Sequence, residues 1–86
     1  MSLSQNLIRY IHESLLTDYS GQPIQEDDSL IQLGVLDSIG LLQIMTFLEQ
    51  EVGVRVPDHE VLPENFETVH QIEDLVKRLI EKRVLP

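Results

Sequence analysis

Ser38 has the neighbours best suited to chemistry, because the segment "GVLDSIGLLQI" (residues 34–44) places it between an acid and an apolar, helix-like run. Its hydroxyl can act as a catalytic nucleophile, help to start a helix, or accept a group attached by another enzyme. A catalytic serine needs a base within hydrogen-bonding reach and a third group that orients this base. The chain lacks the G-x-S-x-G motif, and its histidines are single: His12, His59 and His70. We therefore do not expect an enzyme.

The location of Ser38 suits the attachment of a phosphate ester. Asp37 is a favourable N-cap for the following helix, which places Ser38 in the first helical turn. Free backbone N–H groups and the positive end of the helix macrodipole stabilise negative charge there. Asp37 can in addition help to bind the metal ion or the enzyme that performs the transfer. Judged from these residues alone, the structural role of starting the helix is favoured over attachment.

The composition limits the function of this chain, whose residues 1–86 we expect to form one domain. It has no cysteine, so neither disulfides nor thiolate chemistry is expected. Its acids do not follow calcium-loop spacing and it lacks a histidine–cysteine cluster, so we predict no metal site. The formal net charge of −9 disfavours nucleic acid and favours basic protein surfaces, although acids also keep a small protein soluble. Without a recognisable signal peptide or membrane-spanning run, the expected location is the cytoplasm.

The hydrophobic periodicity predicts an all-α fold, a small four-helix bundle of three main helices and one short helix. The first helix is expected over residues 3–17, with Ser2 or Ser4 as its N-cap. A long connection over residues 19–37 follows and contains a helical turn that ends at Gly34. Its predicted apolar anchors are Ile24, Leu30, Ile31, Leu33, Val35 and Leu36.

The second helix is expected over residues 38–52, and Gly53 should end it. Its core-facing stripe consists of Leu41, Ile44, Met45, Leu48 and Val52. Ile39 and Leu42 lie beside this stripe, so they either pack on residues 24–36 or stay free for a partner.

Two short turns and a final helix complete the predicted bundle. Asp58 is expected to cap the first turn, residues 58–61, and the second turn spans residues 63–66. Phe66 should fill the core from the second turn. The final helix is expected over residues 68–82 because its apolar residues recur at helical spacing.

The stretches "LGVLDSIGLLQIMTFLEQEVGVRVPDHEV" and "ENFETVHQIEDLVKRL" resemble the acyl carrier protein family, and the likeness covers residues 3–82. It rests on an ordered set of motifs: D-S-[LIM] at 37–39, Leu-Glu-x-Glu at 48–51, [VI]-x-[VI]-P at 54–57 and T-[VI]-x-x-[IL] at 68–72. Gly40 and Gln43 occupy positions where fatty-acid carriers tend to have acids, and Gln50 interrupts the later acidic cluster. The segments "VLDSIG" and "PENFETVHQI" resemble discrete D-alanyl and aminoacyl carrier proteins more than fatty-acid carriers.

The resemblance implies that Ser38, with Asp37 beside it, accepts a 4′-phosphopantetheine arm that a phosphopantetheinyl transferase moves from coenzyme A. The terminal thiol of the arm would hold an acyl or aminoacyl cargo as a thioester, so the sulfur arrives with the cofactor. The protein would be a tether that raises the effective concentration of its cargo at partner enzymes. If Phe47 and Phe66 fill the space between the helices, an aminoacyl or other short cargo is favoured.

Partner enzymes would approach Ser38 and contact the second helix through Ile39, Leu42, Gln43, Thr46 and Glu49. The apolar pair would dock in a groove of the partner, and nearby acids would meet lysine and arginine. The expected partners are the transferase, an acyl- or aminoacyl-adenylating ligase and downstream acyl-transfer enzymes. We expect a monomer that neither binds nucleic acid nor inserts into membranes. The alternative is an acidic helical interaction module in which Ser38 only starts the helix.

Overall fold

A computed structural model describes residues 3–15 and 23–84 of the protein, and within these ranges every regular element is helical. The elements are, in chain order, helix α1 (Leu3–Tyr10), a π-helical turn (Ile11–Leu15), helix α2 (Ser38–Glu51), a 3₁₀ turn (Asp58–Glu60), helix α3 (Pro63–Phe66) and helix α4 (Val69–Val84). The predicted all-α bundle of three main helices and one short helix is confirmed. Among the described residues, no helix has the length and apolar character needed to cross a membrane.

Helix α1 starts at Leu3, as predicted, but one of the two residues proposed as its N-cap does not have that role. Because α1 begins at Leu3, Ser4 lies inside the helix, where it is buried, and it is not the N-cap. Ser2 and the predicted end of this helix lie outside the described residues. Leu7 and Ile11 form the buried face that the periodicity predicted.

The end of α2 and the start of α4 agree closely with prediction because local signals set them, whereas α4 continues past its predicted end at residue 82 to Val84. Val52 ends α2, and Gly53 follows with φ at 76°, a conformation that glycine adopts at no steric cost. At the start of α4, Thr68 Oγ1 accepts a hydrogen bond from the backbone N–H of Gln71 at 3.1 Å. This bond satisfies one of the donors that a helix N-terminus leaves open, so α4 begins at Val69.

The 3₁₀ turn is capped differently from the prediction. Pro57, not Asp58, occupies its N-cap position, and no side chain forms a capping hydrogen bond there. Asp58 instead contributes its backbone carbonyl, which accepts a hydrogen bond from the N–H of Val61 at 3.1 Å. The prediction that the carboxylate of Asp58 caps this turn is therefore wrong.

A polar network fastens the 3₁₀ turn and α3 to α4. Asn65 Nδ2 donates to the backbone carbonyl of Glu60 at 2.8 Å and to Glu60 Oε1 at 3.2 Å. Arg78 Nη2 donates to Asn65 Oδ1 at 3.3 Å, and Arg78 Nη1 lies 3.7 Å from Glu60 Oε2. The network fixes the segment between the two short elements on the side of α4.

The connection before α2 is tied to the junction of α3 and α4 by backbone hydrogen bonds. The N–H of Leu30 donates to the carbonyl of Glu67 at 2.7 Å, and the N–H of His70 donates to the carbonyl of Glu26 at 3.0 Å. The predicted helical turn is present and ends at Gly34, whose φ is 78°. The helix junction thus holds the described part of this connection, residues 23–37, in place.

The core lies between α1, α2 and α4, and Phe66 of α3 inserts into it as predicted. Phe47 is half-buried and stacks on Tyr10 of α1, with ring centroids 4.6 Å apart. The two aromatic residues thus have different roles, because Phe66 fills the core and Phe47 joins α1 to α2 at its edge. The buried apolar side chains are Leu7, Ile11, Ile24, Leu30, Val35, Ile44, Leu48, Val54, Val56, Phe66, Val69, Ile72, Leu75, Val76 and Leu79.

Candidate functional site

Ser38 is the first residue of α2 and is exposed. The preceding residue, Asp37, has an extended backbone, and its Oδ1 accepts a hydrogen bond from the N–H of Gly40 at 2.6 Å. Asp37 is therefore the N-cap, as predicted, and it satisfies a donor that the helix start leaves open. The start of α2 does not depend on the hydroxyl of Ser38.

Removal of this cap is expected to destabilise the protein. Asp37→Ala should lower the free energy of unfolding by about 1 kcal/mol, because the N–H of Gly40 loses its acceptor. Asp37→Asn keeps a side-chain oxygen at this place, so this matched control should lose clearly less. Urea unfolding followed by circular dichroism measures both values. An Asp37→Ala protein as stable as wild type would contradict the role of Asp37 as the cap.

A groove of about 470 Å³ opens beside Ser38. Its walls come from the turn before α2, the first turns of α2, and the segment between the 3₁₀ turn and α3. Asp37 and Ser38 contribute its polar edge. The remaining lining is apolar and consists of Ile31, Leu36, Leu41, Val61 and Pro63.

No pattern in the sequence places Ile31, Val61 or Pro63 near Ser38. Ile31 is predicted as an apolar anchor, but its side chain is 49% exposed. The reason is that the preceding residue, Leu30, takes the buried side of the turn, and consecutive residues of a helical turn face different directions. Helical spacing applied within the turn would have separated the two. Val61 and Pro63 reach the groove through tertiary packing, for which the sequence has no local signal.

Four of the predicted partner-binding residues share one exposed side of α2. Ile39 and Leu42 are 69% and 63% exposed, which contradicts the alternative that they pack on residues 24–36. Thr46 and Glu49 are exposed as well. Helical spacing aligns these four side chains along the side of α2 that follows the serine. We call Ile39, Leu42, Thr46 and Glu49 the exposed face of α2.

Gln43, the fifth predicted partner-binding residue, is arranged differently. It is half-buried, and its backbone carbonyl accepts a hydrogen bond from the hydroxyl of Tyr10 at 3.3 Å. Gln43 thus lies where α2 meets α1. The first turn of α2 contains no acid, so the negative charge of the exposed face begins only at Glu49.

The histidines do not provide a base for Ser38. Of the residues described, none of the three histidines lines the groove beside the serine. His12 Nε2 accepts a hydrogen bond from the backbone N–H of Ile24 at 3.1 Å, and His70 lies 3.5 Å from Asp74 along α4. Within residues 3–15 and 23–84, no group of three or more metal-ligating side chains comes together. The arrangement offers an accessible hydroxyl without the partners of a catalytic serine.

The protein is thus a small helical bundle that presents an exposed serine at the start of a helix, beside an apolar groove. The chain belongs to the family whose model is described as "Phosphopantetheine attachment site", which matches residues 14–78. Carrier proteins of this family have a covalently attached 4′-phosphopantetheine. The chain accordingly has an acyl or aminoacyl carrier role, as its resemblance to acyl carrier proteins implied.

Relatives of known type agree with this membership. The chain is 32% identical over 77 residues to a probable acyl carrier protein, PigG, of Serratia sp. (strain ATCC 39006), with 90% of this chain and 87% of the relative covered. It is 30% identical over 79 residues to the D-alanyl carrier protein of Streptococcus sanguinis (strain SK36), with 92% and 96% covered.

Solved structures share the fold. A chain in the crystal structure of Bradyrhizobium japonicum glycine:[carrier protein] ligase, complexed with its cognate carrier protein and an analogue of glycyl adenylate, superposes with a TM-score of 0.71. Its sequence identity is 22%, with 90% of this chain and 99% of that chain covered. The acyl carrier protein of Thermotoga maritima has a TM-score of 0.69 at 23% identity, with 94% and 89% covered. At these identities the likeness establishes the carrier-protein fold.

The residues at the start of α2 fit a covalently attached phosphopantetheine. Ser38 offers an exposed hydroxyl, and the 14 residues of α2 give a helix with a full macrodipole. Its N-terminal N–H groups and positive end stabilise the negative charge of a phosphate ester there. The apolar groove beside Ser38 offers a surface on which the non-polar part of an arm can lie.

Proposed function

We propose that Ser38 is the residue to which 4′-phosphopantetheine is attached, and that the chain carries cargo without catalysing a reaction itself. The supporting observation is that Ser38 is exposed at the first position of α2 while Asp37 alone forms the N-cap bond to Gly40. A serine in this place is available for modification because the helix start does not use it.

In the transfer, one phosphorus–oxygen bond forms and another at the same phosphorus atom breaks. Ser38 Oγ forms a phosphoester bond with the phosphate of the pantetheine portion of coenzyme A, and the phosphoanhydride bond of coenzyme A breaks. The serine proton is lost to a base of the transferase, and adenosine 3′,5′-bisphosphate leaves. Once attached, the arm supplies a thiol that holds an acyl or aminoacyl cargo as a thioester.

The proposal is tested by modification of the unmodified protein. Incubation with coenzyme A, Mg²⁺ and a broad-specificity phosphopantetheinyl transferase should add the mass of one phosphopantetheine group. Peptide mapping by mass spectrometry should then locate the added group on Ser38. No mass gain with several transferases, or a gain located on another residue, would overturn the proposal.

We also propose the exposed face of α2 as the surface that partner enzymes contact. Ile39 and Leu42 expose apolar surface directly after Ser38, and burial of such surface in a groove of the partner is favourable. The structural neighbours in complexes with a glycine ligase support an adenylating ligase as one partner. The transferase and downstream acyl-transfer enzymes would use the same approach, because the first has to reach Ser38 and the others have to reach the arm attached there.

Leu42→Ala should weaken docking without unfolding the protein. The KM of the transferase for this variant should rise about tenfold, because a leucine side chain no longer enters the partner, while kcat stays close to wild type. Leu48→Ala makes the same chemical change at a fully buried position of α2 and is the matched control. It should instead cost about 2–5 kcal/mol of unfolding free energy. An unchanged KM for Leu42→Ala would show that this face does not bind the transferase.

The interaction module without an attached arm is not favoured, because the family membership supplies the cofactor. A single carrier domain over residues 1–86, a monomeric state and a cytoplasmic location remain predictions. The single domain is supported by the one core that α1, α2 and α4 share.

A further inference from the structure

Gly40 lies in the first turn of α2, close to Ser38, and it is buried. A β-carbon at this position would overlap the backbone carbonyl oxygen of Val35 and would lie 3.2 Å from Asp37 Oδ1. Glycine in a helix costs about 1 kcal/mol relative to alanine, so local helix propensity does not explain its presence here. The explanation is the close approach of the preceding chain, which leaves no room for a side chain.

The segment that packs on Gly40 is itself held in place. The N–H groups of Val35 and Leu36 both donate to the carbonyl of Leu30, at 2.9 and 3.1 Å. Leu30 is tied in turn to Glu67 at the junction of α3 and α4. The position of the first turn of α2 relative to the bundle therefore depends on the contact between Val35 and Gly40.

We propose that Gly40 is a positioning residue for Ser38. Its lack of a side chain allows residues 35–37 to pack directly on the first turn of α2, and this contact sets the direction of the serine hydroxyl relative to Ile39 and Leu42. Gly40 acts through the backbone and need not touch coenzyme A or the transferase. This inference rests on the proposed attachment at Ser38. It also gives a steric reason for the absence of an acid at this position.

The proposed role of Gly40 predicts that its substitution changes kcat of the transferase but not KM. In Gly40→Ala the backbone of residues 35–37 has to move away, so the hydroxyl is displaced from the direction that the transferase requires. A displacement of about 1 Å at a reacting atom costs up to roughly 100-fold in rate, so kcat should fall by about 10- to 100-fold. KM should stay within about twofold of wild type, because the exposed face of α2 is unchanged. Leu42→Ala should show the opposite pattern, a raised KM with kcat retained.

Both constants are measured at a temperature at which circular dichroism shows the variant to be folded, and they are expressed per folded molecule. A purely structural role of Gly40 would lower the melting temperature but leave kcat of the folded molecules at the wild-type value. That result would overturn the proposal.

Two further glycines provide a test in case Gly40→Ala does not fold. Gly34 and Gly53 have nearly equal positive φ, 78° and 76°, and a β-carbon on either would meet no atom within 4 Å. Alanine at either position strains the backbone in the same way. Only Gly34, however, ends the turn directly before Val35, the residue that packs against Gly40. Gly34→Ala should lower kcat with little change in KM, and Gly53→Ala should retain both. Equal kcat in the two variants would overturn the proposal.

These results are distinguishable from a failure of the attachment proposal. If the wild-type protein is not modified, the assignment of Ser38 fails. If the wild-type protein is modified and the glycine variants retain its kcat, only the positioning role of Gly40 fails.

Discussion

Ser38→Ala is expected to abolish the transfer of phosphopantetheine, because a methyl group has no oxygen with which to form the phosphoester. Mass spectrometry of the intact variant should show no mass gain under conditions in which the wild-type protein is fully converted. The effect is complete, not partial, because the substitution removes the accepting atom and not a group that assists it. Ser14→Ala, which changes an exposed serine in the π-helical turn, is the control and should be modified like the wild type.

Ser38→Ala should at the same time remain folded. Since Asp37 caps α2, the free energy of unfolding should change by less than about 0.5 kcal/mol. Two outcomes would contradict the assignment. A mass gain on Ser38→Ala would show that another residue is the acceptor, and a loss of about 1 kcal/mol or more would show that Ser38 has the capping role.

Among the substitutions described, Phe66→Ala should cause the largest loss of unfolding free energy. Phe66 is fully buried between the helices, and its truncation leaves a cavity in addition to removing apolar surface from the core. The expected cost is about 3–5 kcal/mol of unfolding free energy. Small domains are stable by only about 5–15 kcal/mol in total, so this variant should unfold at a much lower urea concentration.

Phe47→Ala provides the comparison for this prediction. Phe47 is half-buried and stacks on Tyr10 at the edge of the bundle, so its loss should cost clearly less than that of Phe66. Urea unfolding of both variants, followed by circular dichroism, gives the difference. Equal losses would mean that the core closes around the missing ring of Phe66, and that α3 does not act as an insert between the helices.

Features with a local cause could be predicted from the sequence. Asp37 caps α2 because a short acidic side chain before an apolar periodic run can reach the first N–H groups of the helix. Gly34 and Gly53 end their elements because glycine tolerates positive φ. Phe66 is buried because packing a large apolar side chain into the core removes its surface from water, which is favourable. Each of these depends on a few neighbouring residues, so one sequence contains the information.

Features that depend on tertiary packing could not be predicted. The overlap at Gly40 arises from the backbone of Val35, and the groove beside Ser38 receives Val61 and Pro63 from a distant part of the chain. The wrong prediction of a cap at Asp58 has a local cause instead, because the adjacent Pro57 occupies the N-cap position. The proposal that Ser38 is the attachment residue came from the resemblance to acyl carrier proteins, because the physical properties of the segment alone favoured a structural role.

The two hydrogen bonds that tie the connection to the junction of α3 and α4, from Leu30 to Glu67 and from His70 to Glu26, join backbone atoms at both ends. Every non-proline residue carries these donors and acceptors, so the tie survives most exchanges of the side chains at Glu26 and Glu67. Substitutions at these two positions can therefore alter the charge along this edge while the connection before α2 keeps its place. The charge at these two positions and the path of the backbone that leads to α2 are in this way independent of each other.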